Sequence, residues 1–113
     1  METVYKICGT EEWRSAEAAG RYDGSAEDER DGFIHLSTAS QLEETVRRHF
    51  AGRDDLVLIG VDAARLGDAL RWERSRGGAL FPHLYGSLPL AAVTSVERLP
   101  PATRFGSPRN GEC

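Results

Sequence analysis

Three histidines, His35, His49 and His83, are the side chains of this sequence best suited to proton chemistry near neutral pH. They are dispersed. None forms HxH or HxxxH, and neither cysteine, Cys8 or Cys113, lies beside one. That spacing gives no metal set, and no metal is expected. His35 has the most informative surroundings. In Phe33-Ile34-His35-Leu36, strand alternation puts Phe33 and His35 on one face and Ile34 and Leu36 on the other. Ser37 and Thr38 follow and open a helix, whose first N–H groups favour anions. An imidazole with hydroxyls and N–H groups suits ribose or phosphate oxygens. The alternative is a structural histidine satisfied by a backbone carbonyl, with Ser37 and Thr38 serving only as caps.

A second set lies downstream. Arg71, Arg74 and Arg76 precede Gly77-Gly78. Adjacent glycines let a backbone approach a ligand closely, and an arginine fork can clamp phosphate. A hairpin turn with solvated arginines is the plain alternative. Glu73 can serve as a catalytic acid beside this turn or as a surface carboxylate paired with arginine. His83 and Tyr85 are two apart and share a face, and a tyrosine ring can stack on a base or a nicotinamide. An edge strand with an amphipathic rim explains them equally. Cys8 has no neighbouring base and reads as a buried strand thiol.

These residues need elements to position them. Residues 4–8 form a short β run closed by Gly9. Thr10 is expected to cap a helix over 11–19, with Trp13 and Ala16 buried and Gly20 as the stop. Residues 22–32 are acidic and turn-rich. They read as a surface loop holding Tyr22 and Ser25, with one helical turn from Ser25 and the makings of a lid. A strand at 33–36 leads into a helix that ends at Gly52, with Ser40/Glu43 or Thr38/Gln41 as its capping box. Residues 56–62 are apolar on both faces and should be central in a sheet. A strand at 70–73 should turn Leu70 and Trp72 inward, and 76–79 is a flexible turn. Pro82 implies that any strand over 80–85 is broken or at an edge. Residues 89–99 end in a last strand. Helices cluster early and strands late, so the fold class is α+β, two main helices on a small, mostly antiparallel sheet.

The 113 residues suit one domain over 1–113, with a core of about 3–99 and a frayed tail at 100–113. A net charge of −4 argues against a general nucleic-acid surface. The charge is uneven: residues 1–31 hold nine acidic and four basic side chains, a net of −5, which leaves +1 for residues 32–113. All the basic residues except Lys6 are arginine. No apolar run approaches the ~18–20 residues of a membrane span. Two cysteines at opposite ends give no disulfide framework, so the chain reads as cytoplasmic. The GxxxxGK[ST], GxGxxG, GxSxG and CxxC patterns are absent.

Longer stretches carry a resemblance. Residues 4–7, Trp13 with Ala16 and Gly20, Asp31 to Thr38, Leu56-Val57-Leu58, Trp72-Glu73 and Phe81 to Gly86 resemble a bacterial domain family of unknown function, number 952, over about residues 3–99. More distantly, the order of elements is similar to the catalytic half of the RNA 2′-phosphotransferases, which share the ADP-ribosyltransferase fold. Cys8-Gly9-Thr10 stands where that family has HGT, and Phe33-Ile34-His35-Leu36-Ser37 stands where it has HIHLA. Arg47 and Arg48, then Val61-Asp62, fall in matching places, and residues 71–77 resemble its KFFRSENG stretch.

The resemblance implies a split sheet with a cleft for NAD or an ADP-ribosylated intermediate, lined by His35. His35 and Glu73 become the catalytic candidates. His35, Ser37, Arg71, Arg76, His83 and Tyr85 become the ligand-binding ones. A small nucleotide is the expected partner, with NAD as a substrate and no resident cofactor. Cys8 replaces the ribose-binding histidine of that family. An inactive ligand-sensing or protein-interaction module on the same fold is therefore the alternative to a transferase.

Overall fold

The structure, a computed structural model, describes residues 2–99. The tail read over 100–113, with Cys113, lies outside the described residues, as does the side chain of Arg76. In chain order the elements are β1 (Thr3–Gly9), α1 (Thr10–Ala19), β2 (Arg21–Tyr22), α2 (Ala26–Asp31), β3 (Ile34–His35), α3 (Leu42–His49), β4 (Leu56–Asp62), β5 (Leu70–Arg74), β6 (Leu80–Leu84), β7 (Leu88–Pro89) and β8 (Val93–Arg98). Short 3-10 segments lie before α3, between β4 and β5, between β5 and β6, and before β8. The α+β class read from the sequence is the class observed.

All strand pairs are antiparallel. β4 lies between β1 and β8, β6 lies between β3 and β5, and β2 pairs with β7. The apolar character of β4 on both faces has a direct cause. Val57, Ile59 and Val61 face one buried cluster with Val4, Cys8, Trp13, Ile34 and Leu36. Leu56 and Leu58 face a second with Ile7, Leu42, Val46 and Leu99. Each fully buried Val, Leu or Ile contributes about 1.5–3 kcal/mol, so the strand is held from both sides. A Cβ at Gly60 would collide with the Ser95 hydroxyl of β8, so the glycine leaves room for that side chain.

The three-stranded sheets meet at one point. Tyr5 and Ser37 exchange two backbone hydrogen bonds, of 2.8 and 2.9 Å. This junction places β1 beside β3.

Five local expectations are corrected. Gly9, in extended conformation, is the N-cap of α1, and Thr10 is its first residue. The Gly9 N–H reaches the Glu12 carboxylate at 3.4 Å, so the close comes from the strand end. In the region 22–32 the helical turn expected from Ser25 is present, but the rest is not a solvated surface loop. Ser25 caps α2, which buries Asp28, and Tyr22 is 2% exposed in β2. Of the two capping boxes considered, Thr38/Gln41 is used: the Gln41 side chain accepts from the Thr38 N–H at 3.0 Å, and α3 ends at His49, short of Gly52. Trp72 is 38% exposed on β5, an edge strand of its sheet, so the inward face expected for it is not observed. β6 runs unbroken through Pro82 in the centre of its sheet. Pro82 offers no donor, but its carbonyl accepts from Leu36 at 3.1 Å.

Candidate functional site

A cleft of about 490 Å³ lies across the junction of the two sheets. β1 contributes Lys6 and Cys8, α2 contributes Glu27, Asp28 and Asp31, and β3 with β6 contributes His35 and His83. Ser37, Thr45, His49 and Arg53 also line it.

His35 and His83 are register partners across β3 and β6, and their ring centroids are 5.8 Å apart. Phe33 stacks on His83 at 4.0 Å and touches His35 at 4.6 Å, so it packs against both rings. Each imidazole is tied through Nδ1 to a carboxylate. His35 Nδ1 lies 2.6 Å from Asp28 Oδ1, and His83 Nδ1 lies 2.7 Å from Glu73 Oε1. Both carboxyl groups are held ionised, so each Nδ1 is the donor. For Asp28, burial opposes ionisation. The hydrogen bond from His35, the Lys6 ammonium and the Ser25 N–H outweigh it and hold the carboxyl well below the usual range. Glu73 is lowered by hydrogen bonds from His83 and from the Tyr85 hydroxyl, the latter at 2.8 Å.

Asp28 is the most heavily bonded side chain of the site. Oδ1 accepts from the His35 N–H at 3.1 Å as well as from its ring, and Oδ2 accepts from Lys6 Nζ at 2.8 Å and the Ser25 N–H at 2.9 Å. Four donors fill the acceptor capacity of one carboxylate. Lys6 also reaches the His35 carbonyl at 3.3 Å. His35 Nε2 lies 3.0 Å from Asp31 Oδ2. No hydrogen-bond partner for His83 Nε2 is present among the described residues. That nitrogen is the free functional atom of the pair.

The remaining sequence candidates fall in different places. Ser37 lines the cleft, with its hydroxyl 2.9 Å from that of Thr45. Glu73 and Tyr85 stand behind His83 and support it. Arg71 lies outside this lining, with its guanidinium 4.7 Å from the Tyr85 ring centroid. The 76–78 turn is closed by Arg74, which donates to the Gly78 carbonyl at 2.8 Å. Arg53 is the arginine that lines the cleft, braced by two 2.9 Å bonds to Asp55. Cys8 is buried, and burial, then the Glu12 charge, push its thiol up to about 12. It stays protonated and is no nucleophile at neutral pH. Tyr22, read from the sequence as part of a lid, is a buried anchor that donates to Glu12 at 2.6 Å.

Asp28, Lys6, Asp31 and Arg53 were not among the sequence candidates. Lys6 carries the one signal that could have found the first two. It is the single lysine, set in the short β run Val4–Cys8 that is otherwise free of charge, and a buried ammonium requires an anionic partner.

Comparison with known proteins gives the chain its family. The profile described as "Protein of unknown function (DUF952)" matches residues 7–96. The chain belongs to the DUF952 family. Its fold is similar to the X-ray crystal structure of protein CC0527 from Caulobacter crescentus, at 46% identity over 92% of this chain and 95% of that one, with a TM-score of 0.87. The solution NMR structure of CC0527 agrees, at 50% identity over 88% of this chain and 86% of that one, with a TM-score of 0.79. No curated protein matches the chain. Among the described residues, no helix is long and apolar enough to cross a membrane.

Proposed function

We propose that the cleft of this DUF952 chain binds NAD, ADP-ribose or a related phosphorylated nucleotide in the cytoplasm, as an ADP-ribosyltransferase-like domain with transferase or hydrolase activity at the nicotinamide-bearing ribose carbon. The observation that carries the reading is the adjacency of two carboxylate-anchored imidazoles, His35 and His83, in one cleft. Imidazoles fixed through Nδ1 act through Nε2, donating to or accepting from ribose hydroxyls and an incoming acceptor. Their fixed orientation is the kind of preorganisation that lowers the cost of reaching a charged sugar transition state. Arg53 lines the cleft and adds positive charge for a phosphate, although Asp55 already holds its Nε and one terminal nitrogen. The cleft volume falls in the range of roughly 300–1,000 Å³ usual for small-molecule sites. The partner in this reading is a small nucleotide rather than a nucleic-acid polymer or a membrane.

One observation favours a second reading, a module that binds without turnover. Cys8 lines the cleft as a neutral thiol, and a thiol is a poor donor to a ribose hydroxyl.

Calorimetric titration with NAD, ADP-ribose and a 2′-phosphorylated oligonucleotide at millimolar concentration tests binding. No heat with any of the three sinks both readings. A ligand at 100 times its Kd adds about 2.7 kcal/mol of stability, which a melting curve resolves. Stabilisation by NAD without its consumption selects the module. Nicotinamide release abolished by His35→Ala or His83→Ala selects the enzyme.

A further inference from the structure

We propose that Glu27, Asp31 and His35 form a site for a divalent transition-metal ion of the zinc class at the rim of the cleft. Their ligating atoms all lie within 4.8 Å of one another. Glu27 and Asp31 are four apart on α2 and so share its face, and His35 comes four residues later from β3.

The spacing fits an ion. Tetrahedral ligands at 2.0–2.2 Å from a metal lie about 3.4 Å from each other. His35 Nε2 and Asp31 Oδ2 are already 3.0 Å apart. Glu27 is the outlying ligand, and its exposed side chain has the freedom to close the set. Arg30 stands on the solvent side, 3.7 Å from Glu27 and 3.4 Å from Asp31, and both contacts are exposed and loose.

The support behind His35 distinguishes this set from a chance group of surface acids. A metal-bound imidazole characteristically donates its other N–H to a carboxylate, which fixes the tautomer and the ring plane. Asp28 does this at 2.6 Å, and it is itself buried, paired with Lys6 and saturated with donors. It therefore orients the ligand without competing for the ion. One imidazole nitrogen with two carboxylates suits Zn²⁺ or Co²⁺ better than Mg²⁺ or Ca²⁺, which take all-oxygen shells. Glu27, Asp31 and His35 all line the cleft, so an ion they hold lies at its wall. The ion site does not rest on the nucleotide reading; an ion held here takes His35 Nε2 and leaves His83 Nε2 as the nitrogen open to a ligand.

Titration of the full chain with ZnCl₂, CoCl₂ and MgCl₂, followed by calorimetry, tests it. One Zn²⁺ per chain is expected. Asp31→Asn and Glu27→Gln, both at exposed positions, should each weaken Zn²⁺ at least about tenfold while leaving the melting temperature of the metal-free protein unchanged. The Co²⁺ complex should lack the absorption of a thiolate ligand, which separates this site from Cys8 and Cys113. Mg²⁺ should not compete. The proposal is overturned by the absence of saturable Zn²⁺ binding, by unchanged affinity in both variants, by thiolate absorption, or by Mg²⁺ binding of equal strength.

Discussion

The two histidine–carboxylate pairs are built from the same parts with burial reversed. In one, Asp28 is buried (2% side-chain exposure) and His35 is partly open at 32%. In the other, His83 is buried at 6% and Glu73 is open at 37%. Where the carboxylate is buried, its charge must be compensated from within, and Lys6, Ser25 and His35 all converge on it. Where the imidazole is buried, the carboxylate keeps access to water and needs only His83 and Tyr85. The first pair is therefore bound into the fold, and the second is a side-chain attachment to it. Stability should rest on the first, while fine control of ring orientation should rest on the second.

Removing the buried carboxylate is the strongest way to break this contrast. Asp28→Asn leaves the Lys6 ammonium buried beside a neutral amide, and breaking a buried pair costs about 3–5 kcal/mol. For a domain this size that is a fall of more than ~10 °C in melting temperature. Lys6→Met added to Asp28→Asn should recover part of the loss, because the unpaired charge goes with it. If urea denaturation shows Asp28→Asn to be no more damaging than Glu73→Gln, the asymmetry of the two pairs has no energetic meaning.

Acid titration sharpens the same point. Both carboxyl groups are held below their ordinary values, so as pH falls the unfolded chain binds protons before the folded one does. Their contribution is complete above the ordinary carboxylate range, and stability should decline below about pH 4. The decline should be conspicuously shallower in Asp28→Asn and nearly parental in Glu73→Gln. An unchanged acid limb in Asp28→Asn would remove Asp28 as its source.

Glu73→Gln itself should lower stability less than Asp28→Asn. Its signature belongs to His83: ¹⁵N shifts of the ring should report a loss of the single Nδ1–H tautomer that Glu73 enforces. Retention of that tautomer would show that burial alone orients the ring. The smallest effect is assigned to Arg71→Ala. Arg71 stacks on Tyr85 at an exposed site, an interaction worth about 0.5–1 kcal/mol. Nucleotide titration should be indifferent to this change, whereas Arg53→Ala should weaken a phosphorylated ligand.

The sequence was legible where one residue type has one use. β4 was readable because no solvated strand is apolar on both faces, and His35 and Phe33 were assigned to a common face by simple alternation. The shared face of His83 and Tyr85 follows from their spacing, whereas the partners of the Glu73 carboxylate are His83 and Tyr85 rather than the arginine its neighbours suggest. Pro82 misled because a proline's missing donor is harmless where its carbonyl alone is needed. Trp72 misled because alternation gives two faces without saying which one is covered. Asp28 was hidden in a run where Glu27, Asp28, Glu29 and Asp31 look interchangeable. Only the fold, by bringing β1 against α2, selects one of them as the partner of a residue 22 positions away.

Lys6 has a consequence outside catalysis and binding. It is the one lysine of the chain, and its ammonium is sealed at 6% side-chain exposure against Asp28. The folded protein therefore offers amine-directed chemistry, whether a crosslinker, an acylating reagent or an isopeptide-forming enzyme, no lysine to react with. Modification at position 6 requires the contact between β1 and α2 to open. Its rate is thus a chemical clock for that opening, written into the chain at a single atom.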